Sequence, residues 1–215
     1  MANWINKLLA LLAILLLAPI FIIAAIGILM ADFGPVLHVS DRSGINNTVF
    51  RIYKFRSMKR TKAGGSRITT ANDSRIFWWG KVLRTLKIDE LPQLFNILQG
   101  DMAVIGPRPE DVSIVNESYD EVMMESLLVL PGLASPGSLY NYTHLESLID
   151  ADGGEDIYLE KILPLKVRLD VVYARNKSFL YDVRIIFKTI AIIFLRALNY
   201  ASFKDPIELK EAKSI

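Results

Sequence analysis

Leu8-Leu-Ala-Leu-Leu-Ala-Ile-Leu-Leu-Leu-Ala-Pro19-Ile-Phe-Ile-Ile-Ala-Ala-Ile-Gly-Ile-Leu-Met30 is a run of 23 residues without a charged or strongly polar side chain. As a helix it would be about 35 Å long, more than the roughly 30 Å thickness of a hydrocarbon bilayer core. A cleavable secretory signal has a shorter apolar region, and a helix buried in a soluble domain usually keeps a polar face. The sequence therefore predicts a membrane anchor over residues 1–32 and a separate domain over residues 33–215.

The middle of this run carries the pair Ala18-Pro19. Proline lacks a backbone N–H and clashes with the preceding turn, so we expect a kink there. A kinked helix either crosses the bilayer or bends back to the side from which it entered. The cations between residues 42 and 67 favour a cytoplasmic position for the following domain, but these patterns leave both topologies open.

Composition excludes several classes of protein. The 215 residues include 25 Lys and Arg, 23 Asp and Glu and no cysteine, with 52% hydrophobic residues. Disulfide scaffolds, thiolate metal centres and cysteine nucleophiles are therefore excluded, and so is a disordered chain. A net charge of +2 on an anchored chain gives no domain-wide basic surface, so we expect no nucleic-acid partner.

A basic stretch follows the anchor. Residues 51–67 contain seven cations and no acid, and Val49, Ile52 and Phe55 form an irregular strand-like pattern before and within it. Three interpretations remain open at this point: a solvated basic surface, a patch facing anionic lipid headgroups, and a site for a polyphosphate.

Two acids precede a predicted helix. Leu91, Leu94, Phe95 and Leu98 recur at helical spacing, and Gly100 suits the helix end. Pro92 is tolerated in a first turn, which leaves Asp89-Glu90 at or just before the N-terminus. Such a position stabilises negative charge and offers free N–H groups to a phosphate. Simple capping of the helix is the structural alternative.

A rigid turn presents one arginine. The apolar run that ends at Ile105 is followed by Gly106-Pro-Arg108-Pro109. The two prolines restrict the backbone on either side of Arg108, and an arginine held in this way suits bidentate binding of phosphate or carboxylate. An exposed turn arginine is the simpler alternative.

A series of short motifs connects these features. They read Tyr53-Lys-Phe-Arg-Ser-Met58, Gly80-Lys-Val-Leu-Arg84, Asp89-Glu-Leu-Pro-Gln-Leu-Phe-Asn96, Gly100-Asp-Met102 and Val104-Ile-Gly-Pro-Arg-Pro109. In this order they resemble the bacterial sugar transferase family, in particular its small monotopic phosphoglycosyl transferases. The resemblance includes the apolar N-terminal run and continues more loosely through Asp170-x-x-Tyr173, Ser178, Asp182 and Thr189.

The resemblance implies a reaction at the cytoplasmic face of the bacterial inner membrane. A UDP-sugar donor and a polyprenol phosphate acceptor give a polyprenol diphosphate sugar and UMP, the first membrane step of glycoconjugate synthesis. It implies that Asp89 is the nucleophile, that Asp89 and Glu90 hold Mg²⁺, and that later glycosyltransferases are possible partners. Residues implied to bind substrate or phosphate are Lys54, Arg56, Arg84, Arg108 and Asp170.

The resemblance also implies an architecture. We expect an α/β domain, mostly helical with a small β element, that is monotopic in the membrane. Its N-terminal helix would be re-entrant and broken at Ala18-Pro19, and amphipathic helices would lie at the interface. Residues 183–196 fit such a helix, because Arg184, Lys188 and Arg196 share one side of an otherwise apolar helix. A second membrane-spanning helix and a buried core helix are the alternatives.

One segment departs from the family pattern. After Pro131-Gly132 the chain lacks the arginine that ends the usual loop motif, and it instead carries Tyr140, Tyr142 and His144. These side chains could stack on a base or contact a sugar, but we expect ordinary loop packing. The acidic residues 150–156 resemble a cation-binding loop only superficially, and we interpret them as a solvated turn.

Two other functions remain open. A non-catalytic, membrane-anchored interaction module could keep the same fold, although it would not need to retain the acid pair with Arg84 and Arg108. A phosphohydrolase using Asp89 is the third hypothesis, but an Asp-x-Asp arrangement is missing at this position.

Overall fold

The computed structural model describes residues 1–59, 73–145, 154–198 and 200–215. Three of the basic residues noted above (Arg60, Lys62 and Arg67) and most of the predicted acidic turn at 150–156 lie outside these ranges. The helices are α1 (Asn3–Ala31), α2 (Trp78–Thr85), α3 (Gln93–Gln99), α4 (Val112–Ser118), α5 (Glu121–Met124), α6 (Pro136–Tyr140), α7 (Gly154–Ile157), α8 (Leu163–Arg175), α9 (Phe179–Ala197) and α10 (Leu209–Ala212). The strands are β1 (Leu37–Ser43), β2 (Val49–Phe55), β3 (Ala103–Ile105) and β4 (Gly132–Ala134). The prediction of a mostly helical domain with a small β element is confirmed.

Helix α1 is apolar and largely exposed. Among the described residues it is the one helix long and apolar enough to cross a membrane, and only 11% of its most apolar stretch is buried. It is helical through Ala18 and Pro19, so any change of direction there is a bend of a continuous helix and not a loop. The surface it leaves uncovered is what a membrane anchor requires.

Residues near both ends of α1 contact the same domain. The Val104 N–H donates to Asn6 Oδ1 at 3.1 Å near the start of the helix, and Trp79 Nε1 donates to the Ala24 carbonyl at 3.3 Å further along. Asp32, at the C-terminal end of the helix, pairs with Arg56. The helix therefore lies along the domain rather than extending away from it.

Strands β1 and β2 form an antiparallel hairpin, in register from Leu37 opposite Phe55 to Ser43 opposite Val49. Asn46 and Asn47 make the turn with φ values of 52° and 58°, a left-handed conformation that asparagine tolerates better than most residues. The hairpin places the end of β2, with Lys54, beside the segment that carries the acids.

Strands β3 and β4 are short and parallel, with Ala103 opposite Gly132 and Ile105 opposite Ala134. The backbone of Gly132 approaches that of Gly106 closely at the end of β3. A Cβ on Gly132 would lie 2.0 Å from the Gly106 nitrogen. Glycine is required at this position. The close approach sets the start of the Gly106-Pro-Arg108-Pro109 turn.

The core is formed mainly by α3, α8 and the strands. Helix α3 buries Leu94 and Ile97 beside Ala10 of α1, Ile52 of β2 and Met102. Helix α8 contributes fully buried Leu169 and Tyr173, and the Tyr173 hydroxyl donates to the Ile105 carbonyl at 3.1 Å. Helix α3 ends at Gly100 with φ of 98°, as its sequence predicted.

Helix α9 is amphipathic and lies on the surface. It buries Asp182 and Ile185, whereas Phe187, Ile190 and Phe194 are each more than 60% exposed. The alternative of a buried core helix is therefore wrong, because only Asp182 and Ile185 of this helix are buried. Such an exposed apolar face fits a helix that rests on a membrane surface.

Candidate active site

A tight turn between α2 and α3 carries the two acids. Lys87 adopts the left-handed conformation with φ of 55° and begins the single 3₁₀ turn Ile88–Glu90. The Glu90 N–H donates to the Lys87 carbonyl at 3.3 Å, which closes the turn. Asp89 is 7% exposed, and the Glu90 side chain is 12% exposed. The acids are therefore adjacent and largely removed from water.

Glu90 is held by two cations from other parts of the fold. Arg108 donates from Nη1 to Oε2 at 2.9 Å and from Nη2 to Oε1, a bidentate pair. Lys54, on β2, places its Nζ 3.9 Å from Glu90 Oε1. The Gly-Pro-Arg-Pro turn and the hairpin thus meet at Glu90, while the predicted binding of substrate or phosphate by Lys54 and Arg108 stays a prediction.

The charges around Glu90 separate the behaviour of the two acids. Burial by itself would raise the pKa of Glu90, but Arg108 and Lys54 outweigh it and hold that pKa well below its usual range. Burial lowers the pKa of Lys54 to about 8, against the opposing attraction of Glu90. Glu90 is therefore a permanent anion at neutral pH, and its charge is matched by fixed cations.

Asp89 lies in a different environment. Burial raises its pKa, the neighbouring Glu90 charge raises it further, and Lys54, Lys87 and Arg84 act in the opposite direction. Its Oδ1 is buried and has no hydrogen-bond partner among the described residues. A buried carboxylate oxygen without a partner calls for an explanation, and a ligand, an ion or a reacting group supplies one.

Asp170 contacts the backbone of Arg108, the residue that binds Glu90. It lies on α8, is 2% exposed, and accepts from the Gly137 N–H at 2.8 Å, the Ser135 hydroxyl at 3.1 Å and the Arg108 N–H at 3.2 Å. Burial raises its pKa to about 6 despite these hydrogen bonds. The structure thus gives Asp170 contact with the backbone of Arg108, and its contact with a substrate stays a prediction.

The remaining predicted phosphate ligands occupy separate places. Arg84 lies in the last turn of α2, and its charge acts on Asp89. Arg56 is 5% exposed, and its guanidinium donates to the Pro35 carbonyl at 2.7 Å and to Asp32. The guanidinium of Arg56 is therefore engaged with the end of α1 and not with Glu90.

Two polar residues of the Asp89–Asn96 motif were not singled out from the sequence. Asn96 is fully buried; its side chain donates to the Arg51 carbonyl at 2.6 Å and accepts from the Tyr53 N–H at 3.1 Å, which fastens β2 to α3. Gln93 is 1% exposed, and its amide has no partner among the residues described. The signal for both was a polar residue on the buried side of an apolar helix.

The acid pair fits a magnesium ion. Mg²⁺ in phosphate-binding sites usually takes one or two carboxylates and completes its shell with phosphate oxygens and water. Asp89 Oδ1 is available, while Glu90 shares its oxygens with Arg108. Within the described ranges no cluster of three or more His, Cys, Asp or Glu residues could hold a metal alone. The donor set thus suits an ion completed by a diphosphate ligand.

Comparison with known proteins places the chain in a family. The family described as bacterial sugar transferase matches residues 1–196. An N-acetylgalactosaminephosphotransferase of Aeromonas hydrophila, named for UDP-N-acetylgalactosamine and undecaprenyl phosphate, is 38% identical over 86% of this chain and 41% of its own length. A UDP-glucose:undecaprenyl-phosphate glucose-1-phosphate transferase of Klebsiella pneumoniae is 33% identical over 88% and 39%.

A shorter relative matches over most of both proteins. The exopolysaccharide production protein ExoY of Sinorhizobium fredii is 32% identical over 91% of this chain and 86% of its own length. The chain spans about two fifths of the two longer relatives. This chain carries an exposed, apolar N-terminal helix and a buried acid pair beside cations. This chain belongs to the bacterial sugar transferase family.

Proposed function

We propose that this protein transfers a sugar 1-phosphate from a UDP-sugar to a membrane polyprenol phosphate, producing a polyprenol diphosphate sugar and UMP. The observation that carries the proposal is the unequal pair: Glu90 is bound by Arg108 and Lys54, whereas Asp89 keeps an unpartnered carboxylate oxygen. The relatives named for undecaprenyl-phosphate sugar transfer support the same reaction class.

The proposed first step is covalent. A carboxylate oxygen of Asp89 attacks the phosphorus that bears the sugar, forming an O–P bond. The bond from that phosphorus to the bridging oxygen breaks, and UMP leaves with the electron pair. Glu90 stays ionised throughout, because Arg108 and Lys54 balance its charge.

The second step returns the enzyme to its starting state. A phosphate oxygen of the polyprenol phosphate attacks the same phosphorus, and the Asp89–phosphorus bond breaks to regenerate the carboxylate. Lys54, Arg84 and Arg108 stabilise the negative charge that both steps concentrate at the turn. Mg²⁺ held by Asp89 and Glu90 would neutralise charge on the diphosphate.

The proposed location is the cytoplasmic face of the bacterial inner membrane. A spanning helix of 29 residues would separate its ends by about 43 Å, on opposite sides of the bilayer. Here Asn6 and Asp32, close to the two ends, both contact the globular domain. This supports a re-entrant anchor, with the acid pair near the headgroups that present the acceptor. Later glycosyltransferases would take up the lipid-linked product.

The test uses Asp89→Asn, with Asp41→Asn as the matched control because Asp41 is exposed on β1. UMP release from UDP-sugars is measured for the full chain in membranes. We expect loss of at least 1,000-fold for Asp89→Asn and parent activity for the control. Rapid quenching should trap a phosphosugar on the peptide containing Asp89. Parent-level activity in Asp89→Asn would remove Asp89 as the nucleophile.

A further inference from the structure

Two cations contact the aromatic ring of Tyr142. Tyr142 belongs to the π-helical segment Asn141–Leu145 that follows α6. Lys87 Nζ is 4.3 Å from the ring centroid, and Arg196 Cζ, from the end of α9, is 4.8 Å from it. Both distances are within the range of favourable cation–π attraction. The Tyr142 side chain thus connects the segment Asn141–Leu145 with the turn that carries the acids and with α9.

The backbone and hydroxyl of Tyr142 make contacts with the same two elements. Arg196 Nη2 donates to the Tyr142 carbonyl, and the Tyr142 hydroxyl donates to the Thr85 carbonyl at 3.5 Å, at the end of α2. Arg196 therefore contacts both the ring and the backbone of Tyr142. These contacts hold the ring against Lys87.

Lys87 controls the geometry of the turn that follows it. Its left-handed backbone is unfavourable for a residue with a Cβ and persists only where neighbouring contacts maintain it. Its carbonyl accepts the Glu90 N–H, and its own N–H donates to the Arg84 carbonyl at 3.1 Å. Its charge also acts on Asp89 and Glu90. Lys87 is therefore linked to Glu90 by a backbone hydrogen bond and to both acids by its charge.

We propose that Tyr142 is a positioning residue for the acid pair, and that it acts through its π face on Lys87 with Arg196 as the second support. The activity readout of this proposal rests on the proposed function. The alternative is space filling, in which any apolar side chain of similar size would serve as well as an aromatic ring. The two differ in one respect: only a cation–π contact depends on the electron density of the ring.

Fluorination tests this dependence. Tyr142 is replaced by phenylalanine and by phenylalanine with one, two and three ring fluorines, which withdraw electron density with little change of shape. Tyr181 is the matched control, because Arg184 Cζ lies 4.3 Å from its ring centroid in a cation–π contact on a different element. The full chain is purified in nanodiscs, and kcat and KM are measured for UMP release from a UDP-sugar that it accepts.

We expect Tyr142→Phe to stay within about 3-fold of the parent, since it loses only the Thr85 hydrogen bond. Each fluorine should then lower kcat, to a total of about 3- to 10-fold, with the donor KM within 2-fold. The series at 181 should be flat. A flat series at 142, or equal slopes at 142 and 181, would overturn the proposal.

A second measurement does not depend on activity. Hydrogen exchange at the Glu90 amide, which donates to the Lys87 carbonyl, should quicken by a similar factor along the 142 series and stay constant along the 181 series. If the parent releases no UMP, the proposed function fails while this exchange rate still decides the role of Tyr142. Tyr142→Leu should also quicken exchange at the Glu90 amide when Lys87 is present. In a chain that already carries Lys87→Met, Tyr142→Leu should not change this exchange rate further. Unchanged exchange in the 142 series would refute the positioning role.

Discussion

Arg108 and Glu90 form a bidentate ion pair between the turn after β3 and the turn before α3. Arg108 has a second attachment, since its backbone N–H donates to the buried carboxyl of Asp170 on α8. Glu90 attracts Arg108 strongly enough to raise the pKa of its guanidinium further above its ordinary value. The acid pair is therefore braced by residues far away in the chain, and its geometry depends on their packing.

Arg108→Lys should lower kcat by about 100-fold. Lysine keeps the positive charge but cannot make two parallel hydrogen bonds to Glu90, so the carboxylate loses its fixed orientation. Arg42→Lys is the matched control, because Arg42 pairs with Asp111 through one hydrogen bond of 2.6 Å, on another element. UMP release provides the measurement, and equal losses in the two variants would argue against a special role for the bidentate pair.

Asp170→Asn should change how stability depends on pH. The folded pKa of Asp170 is raised from 3.8 to about 6, so the folded protein binds more protons than the unfolded chain between these values. The contribution of Asp170 to the free energy of unfolding is thus greatest below pH 3.8 and is lost as the pH rises through about 6. Between pH 5 and pH 8 the free energy of unfolding of the parent should fall by about 1–2 kcal/mol relative to that of Asp170→Asn.

Denaturant unfolding of both chains at these two pH values measures the difference. All other titrating groups are shared by the parent and the variant, so they cancel in the comparison. A difference that is constant with pH would mean that Asp170 is not protonated near pH 6.

Lys166→Met should destabilise the fold strongly. Lys166 is 4% exposed and donates to Glu110 Oε2 at 2.6 Å, while Tyr158 donates to the same carboxylate. Removing the ammonium leaves a buried carboxylate without its counter-charge, which costs about 3–5 kcal/mol. We expect Tm to fall by roughly 10 °C.

The matched control is Arg175→Met, which breaks the exposed pair between Arg175 and Glu125. Exposed ion pairs contribute little, so its Tm should stay close to that of the parent. A similar decrease in Tm in the two variants would show that the buried Lys166–Glu110 pair stabilises the fold no more than the exposed Arg175–Glu125 pair.

The anchor should present both of its ends to the same side of the membrane. The chain has no cysteine, so Asn3→Cys and Thr48→Cys each introduce a single thiol at an exposed position, the first at the start of α1 and the second in the domain that follows it. In inside-out vesicles we expect an impermeant maleimide to label both. Labelling of the two thiols from opposite sides would establish a spanning helix instead.

Local sequence patterns predicted a large part of this protein. The apolar run 8–30 indicated the anchor, and the spacing of Leu91, Leu94 and Leu98 indicated α3 with its end at Gly100. The motifs also selected Asp89 and Glu90, and the structure shows the pair buried beside cations. The anchor and α3 depend on residues close together in the chain, so periodicity and turn chemistry are enough to find them, whereas the acid pair was selected through the resemblance of its motif to a family.

The tertiary structure determined which of the predicted cations lie close to the acid pair. Lys54 and Arg56 are two residues apart in one motif, yet Lys54 reaches Glu90 while Arg56 binds Asp32 at the end of α1. The contact of Tyr142 with Lys87 likewise joins segments far apart in sequence. Composition and periodicity indicated the membrane anchor and α3, and the resemblance of the motifs to a known family pointed to Asp89 and Glu90 as the predicted reactive pair. The packing of distant elements determined the electrostatics, because a charge acts through its distance and its burial, and neither is encoded locally.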